Sequence, residues 1–177
     1  MPNRTDRCLK MLAEAMKEEE KSLSLYENAA AVCSLELGKE MFRILLGQEK
    51  DHVKRLRSVY DSLQRGEAWA DLWKPQRTEN EDLREFLQNQ ITLLGHKIRH
   101  HSGDLQTLEI GVTMEQESID FYDERLQKAT DPLEQQFLAS MITEERSHFV
   151  VLQDLNLFLT DPESWFIEKE HHAMDGA

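Results

Sequence analysis

The sequence predicts an all-α fold: a four-helix bundle built from two duplicated helix pairs, with a long crossover containing an extra helix and a short C-terminal helical element. Three observations predict it. Charged residues make up 31% of the 177 positions and aromatics only 7%, with few Gly and Pro, which is the usage of a helix-rich chain. Apolar residues recur at alternating intervals of three and four through long segments. Finally, Glu19, Tyr26, Glu49 and His52 recur 96 positions later as Glu115, Tyr122, Glu145 and His148, so the second half repeats the first.

Taken in order, the first helix is read over 6–33, with Leu12, Met16, Glu19, Leu23, Tyr26 and Ala30 on one seam. The second, over 38–65, carries Phe42, Leu45, Glu49, His52, Leu56, Val59 and Leu63, and Gly66 supplies a C-terminal stop. A crossover over 57–104 is too long for a tight turn between neighbours. Within it Thr78 and Glu81 resemble a capping box, and Leu83, Leu87, Ile91, Leu94 and Ile98 form the stripe of a further helix. Trp69 and Trp73 read as packing anchors. The third bundle helix spans 105–128 with Leu108, Val112, Glu115, Ile119, Tyr122 and Leu126. The fourth, reaching about 159, opens at Asp131-Pro132-Leu133-Glu134, an N-cap followed by Pro at N1 and an acid at N3. Its seam is Leu138, Met141, Glu145, His148, Leu152 and Leu155. The tail, 160–177, starts a short helical element at Asp161-Pro162 whose Trp165 and Phe166 pack back on the bundle. The whole, 1–177, is read as a single domain.

Charge and composition exclude several classes of partner. A net charge of −13 argues against a nucleic acid, whose binding rests on Lys and Arg neutralising phosphate, and favours small cations. No apolar run approaches the roughly 18–20 residues a membrane span needs, and the charged start has no apolar signal core, so the expectation is a cytoplasmic protein with no membrane partner. Cys8 and Cys33 form no Cys-x-x-Cys pair, which excludes a zinc ribbon or a rubredoxin-type iron centre, and they read as inert buried thiols.

The chemistry lies in what interrupts the seams. Each bundle helix is apolar on its inner stripe except at one level, where the first and third place one Glu and the second and fourth place Glu and His one turn apart. Buried carboxylates cost several kcal/mol each unless protons, bases or metal neutralise them, and no Lys or Arg occupies the seams there. Two divalent ions against four carboxylates close the charge sum, with neutral imidazoles completing the coordination. The residues alone leave iron, manganese and zinc open. One Glu from each of two helices and Glu-x-x-His from each of the other two is the ligand pattern of ferritin-like di-metal carboxylate bundles.

The segments Glu19–Tyr26, Glu49–His52, Glu115–Tyr122 and Glu145–His148 resemble the rubrerythrin branch of the ferritin-like family over essentially the whole chain. The resemblance implies two metal ions per chain, iron by preference. Glu49 and Glu145 would bridge them, Glu19 and Glu115 would be terminal ligands, and His52 and His148 would each bind one. It also implies an oxidoreductase that oxidises ferrous iron and reduces hydrogen peroxide or dioxygen, in oxidative-stress defence or iron handling, and a homodimer paired through bundle faces. Two departures qualify the carry-over. The rubredoxin cysteines are absent, so electrons would come from a separate donor protein. The additional Glu that rubrerythrins place one turn before the third-helix ligand is Val112 here, which leaves a symmetric set similar to the ferroxidase centre of bacterioferritin.

Other features carry weaker readings. Tyr26 and Tyr122 sit two turns from Glu19 and Glu115, where a phenol would hydrogen-bond a ligand carboxylate across the bundle or deliver an electron. His96, His100 and His101 have spacing that suits a metal but lack an acid partner, and Glu168 to His171 matches Glu-x-x-His in what reads as a solvated tail. Gly47 and Gly111 fit either an oxidant path or close helix packing. The alternative function is a non-catalytic bundle that binds zinc or manganese or docks another protein.

Overall fold

A computed structural model describes residues 4–67, 80–94 and 100–175, with side chains described over 5–67, 83–94 and 100–168. The readings made on Trp69, Trp73, Thr78, His96 and Ile98 lie outside those residues, and those on Glu81 and His171 lie outside the described side chains. Six α-helices and no strands are found among the described residues: α1 Arg4–Val32, α2 Glu36–Gln64, α3 Asn80–Leu94, α4 Ser102–Lys128, α5 Pro132–Thr160 and α6 Pro162–Asp175. Helices α2 and α5 are offset by 96 positions at both ends, so the sequence repeat is a structural one. α1 pairs with α2 and α4 with α5, the two pairs meet through α1 and α4, and α3 and α6 lie against α5. No helix among the described residues is long and apolar enough to cross a membrane.

The helix ends follow from their residues. At the end of α2, Gly66 adopts φ 78°, its amide bonds the Leu63 carbonyl and the Glu67 amide bonds the Ser62 carbonyl, which is the Schellman pattern. Asp131 caps α5 by accepting from the Leu133 and Glu134 amides, with Pro132 at N1. Asp161 does the same for α6 by accepting from the Ser164 amide and hydroxyl. Trp165 on α6 is buried edge-on to Phe158 of α5, which seats the tail on the bundle as expected.

The seams of α2 and α5 are buried as read, but that of α1 is rotated. Met16, Leu23 and Ala30 are only half-buried, and the inner column is instead Cys8, Ala15, Ser22 and Ala29 beside Leu12, Glu19, Tyr26 and Cys33. Small side chains hold the inner column because α1 comes close to its neighbours there, while the longer Met16 and Leu23 cover its flank. In α4 the equivalent small positions are Gly111 and Ser118, and Val112 and Leu126 are half-buried. In α3, Leu94 is exposed although the stripe included it. The interior divides into two apolar clusters, one around Phe42, Leu45, Leu152 and Phe158 and the other around Leu12, Leu56, Phe137 and Leu138.

One polar clasp joins the repeats. Asp104, 3% exposed in the first turn of α4, accepts from the Ser34 amide (2.7 Å), the Ser34 hydroxyl (2.6 Å) and the His101 amide (2.9 Å). It thereby ties the α1–α2 turn to the start of α4. Burial alone would raise its pKa, but these donors outweigh that and hold the carboxyl well below its ordinary 3.8. Its stabilisation is therefore complete above pH 3.8 and is lost as pH falls toward the lower folded value. Asp104→Ala should cost about 2 kcal/mol at neutral pH. Denaturant titrations of wild type and variant should converge as pH drops below that ordinary value, and a gap that stays constant into acid would exclude the carboxylate charge as its origin.

Candidate metal centre

Between the two apolar clusters the four long helices bring polar side chains to one level. Glu19 on α1 and Glu115 on α4 stand on inner faces whose neighbouring positions are small: Ala15 and Ser22 on α1, Gly111 and Ser118 on α4. On α2 and α5, residues three apart share a face, so Glu49 and His52, and Glu145 and His148, point inward together. All six are at most 1% exposed.

Two overlapping groups of ligand atoms result. Glu19, Glu49, His52 and Glu145 form one, and Glu49, Glu115, Glu145 and His148 the other, with the offered atoms of each group within 4.8 Å of one another. Glu49 and Glu145 belong to both. His52 Nδ1 lies 3.2 Å from Glu19, 3.3 Å from Glu49 and 3.1 Å from Glu145. His148 Nδ1 lies 3.0 Å from Glu49, 3.7 Å from Glu115 and 3.8 Å from Glu145. The two rings stack at 5.4 Å between centroids.

Around this set the contacts cross the bundle. The Tyr26 hydroxyl donates to Glu115 and the Tyr122 hydroxyl to Glu19, so each phenol steadies the lone Glu of the other repeat. His52 Nε2 pairs with Glu144 (3.1 Å), and His148 Nε2 with the Gln48 side-chain oxygen (2.8 Å). Arg55 grips both Glu144 oxygens, one of them at 2.8 Å.

Electrostatics show how strained this set is when only protons balance it. Burial, and then the neighbouring Glu49 charge, push Glu19 up to about 8. Burial with the charges of Glu19 and Glu49 likewise raises Glu145. For Glu49 burial also acts upward, but the His52 and His148 rings outweigh it and hold this carboxyl low. Burial disfavours charged His52 and His148, yet the surrounding carboxylates raise both above the usual imidazole range. Both tyrosines are pushed far up by burial and by the Glu charges beside them, so they are protonated donors.

The donor set fits a pair of transition-metal ions. Both oxygens of Glu49, both of Glu145, one of Glu115 and Nδ1 of His148 are buried with no well-aligned hydrogen bond, although ring nitrogens and carboxylate oxygens of the set stand 3.0–3.8 Å apart. Orphaned buried acceptors of this kind are costly unless something accepts their lone pairs. Mixed carboxylate and imidazole ligation suits iron, manganese or zinc.

The six residues singled out in the sequence as metal ligands are thus brought together, and Tyr26 and Tyr122 reach the carboxylates. Glu144, Gln48 and Arg55 were not anticipated. The signal was present, since Gln48 and Glu144 are 96 positions apart and each precedes a Glu-x-x-His. Gly111 serves close packing, because a Cβ there would meet a Leu152 methyl at 3.1 Å, whereas Gly47 faces outward with nothing nearby. His101 stands at the N-cap of α4, and Cys8 and Cys33 are buried and not joined in a disulfide.

Against known proteins, residues 10–156 match the sequence model of the rubrerythrin family. No curated protein and no solved structure gives a match.

Filling the centre with metal should stabilise the folded chain by about 2.7 kcal/mol at a hundredfold excess over the dissociation constant. Thermal melting of metal-free protein with and without Zn(II) or Mn(II) should show that rise. In Glu49→Gln combined with Glu145→Gln the rise should vanish, and a persisting rise would place the binding elsewhere.

Proposed function

The chain belongs to the rubrerythrin family, and from that premise we propose that it is a dinuclear-metal oxidoreductase that holds two iron ions, oxidises ferrous iron and reduces hydrogen peroxide or dioxygen. Its role would be defence against peroxide or the handling of iron. The observation that carries the reading is the sharing of Glu49 and Glu145 by two otherwise separate ligand groups, as a carboxylate-bridged pair of ions requires. Glu19 and Glu115 are then terminal ligands, and His52 and His148 serve one ion each.

When bound, a pair of ferrous ions supplies the two electrons that, with two protons, convert one hydrogen peroxide into two waters. The chain's own residues do the rest. Glu49 and Glu145 fix the spacing of the two positions, and the flanking apolar clusters exclude bulk water. Tyr26 and Tyr122 hold protons at Oη against Glu115 and Glu19, fixing the terminal carboxylates and keeping two phenolic hydrogens beside the reacting atoms. Val112, half-buried against the apolar cluster, offers no further carboxylate one turn from Glu115, which favours a fixed ligand set of ferroxidase type. A separate protein would return electrons, the chain would act in the cytoplasm, and pairing into a homodimer is the default.

The second reading is a bundle that keeps zinc or manganese without turnover, and it rests on a donor set that accepts those ions equally well. Metal analysis of protein from iron-replete cells, followed by anaerobic loading with two equivalents of Fe(II) and one addition of peroxide, separates the two. About two irons per chain and a rapid gain of near-ultraviolet ferric absorbance are expected. Zinc alone, with no absorbance change on peroxide, would defeat the oxidoreductase and leave the binding role.

A further inference from the structure

The two repeats supply equivalent ligands but not equivalent support for them. Glu144 and Gln48 occupy the same position of the repeat, 96 residues apart, each next to a shared carboxylate. Each reaches across to Nε2 of the histidine on the opposite helix pair: Glu144 to His52 at 3.1 Å and Gln48 to His148 at 2.8 Å. One imidazole therefore leans on a carboxylate and the other on a neutral amide.

The difference extends outward. Arg55 grips Glu144 through both guanidinium branches and Ser140 donates to it at 3.0 Å, so that carboxylate is fixed in place. At the equivalent positions of the other repeat stand Val151, buried and apolar, in place of Arg55, and Ile44 in place of Ser140. Gln48 is thus left without the counterparts that anchor Glu144.

This asymmetry bears on metal affinity through the ring. In both histidines Nδ1 faces the carboxylate cluster and Nε2 faces the outer partner. A carboxylate accepting the Nε2 proton draws it away from the ring and raises electron density at Nδ1, and it fixes the tautomer that leaves Nδ1 free to ligate. An amide oxygen fixes the same tautomer with a weaker pull. Arg55 pairs with the same Glu144 oxygen that meets the ring and so offsets part of its charge, but an arginine-bound carboxylate is still a stronger acceptor than the neutral amide of Gln48.

We propose that the two metal positions are unequal: the one lined by Glu19 and His52 binds more tightly and fills first, and Glu144, held by Arg55, is the positioning residue responsible. The inference rests on the metal-centre reading above. Partners of ligating histidines typically change metal affinity by about 10–100-fold. A preference of about tenfold is therefore expected.

The test is crystals of the full chain grown with one equivalent of Co(II), with the anomalous signal of cobalt measured at the two positions. The Glu19/His52 position should carry about three times the occupancy of the Glu115/His148 position, since one equivalent shared between two sites of about tenfold different affinity divides as the square root of that ratio. In Glu144→Gln, which gives both histidines the same partner, the two signals should approach equality. Glu144→Gln combined with Arg55→Val gives the Glu144 and Arg55 positions the residues of the other repeat, avoids an unpaired Arg55, and should do the same. Helical circular dichroism and thermal melting without metal establish that each variant is folded, and Co(II) absorbance titrations give the accompanying loss in first-step affinity, about tenfold. Equal occupancy in the wild type, the reverse preference, or a preference that survives both variants would overturn the proposal. Cobalt at neither position would instead overturn the metal-centre reading itself.

Discussion

Four carboxylates and two imidazoles buried at one level of a helical bundle are the constraint around which the rest of this molecule is arranged. Such a layer is tolerable only if each acid is neutralised, bonded or ligated, because moving an uncompensated ion out of water costs several kcal/mol. Protons do this poorly here: Glu19 is pushed to about 8 and Glu145 is raised, while Glu49 stays low only because both rings face it. Orphaned oxygens on Glu49 and Glu145 mark the same shortfall in geometry. A layer that protons satisfy this badly carries a donor set able to hold cations.

The surrounding architecture serves that layer. Apolar clusters on either side keep it dry, and they are themselves held by ordinary packing of leucine, phenylalanine and methionine. Small residues line the inner faces of α1 and α4 beside Glu19 and Glu115. Tyr26 and Tyr122 come out of opposite clusters to meet the terminal acids, so even the polar bonds of the layer are anchored in the two cores. Asp104 keeps the two repeats in register at one end of the bundle.

Much of this was legible in the residues. The paired Glu-x-x-His on apolar seams located the layer, because the inner stripes of α2 and α5 are otherwise large apolar residues among which a charged interruption stands out. The caps at Asp131 and Gly66 were equally readable, since each rests on local chemistry. The inner face of α1 was not, because Ala15, Ser22 and Ala29 carry little apolar weight and Met16 and Leu23 carry much, so the pattern pointed one residue aside. Helix closeness decided the matter, and closeness is a tertiary property. Glu144, Gln48 and Arg55 were missed for a related reason: their partners lie about 90 to 100 positions away, and the position of Gln48 and Glu144 before each Glu-x-x-His does not by itself say which residue they meet.

The contacts that cross between the helix pairs also bear on symmetry. Were the bundle assembled from two copies of one helix pair, each histidine would face the same residue from the other copy, and any change to that residue would appear twice. Joining the pairs in one chain removes this restriction, since Glu144 and Gln48 are encoded separately although they occupy one position of the repeat. A covalently fused bundle can thus keep a two-fold ligand set while giving each half its own surroundings, something an assembly of identical halves cannot express.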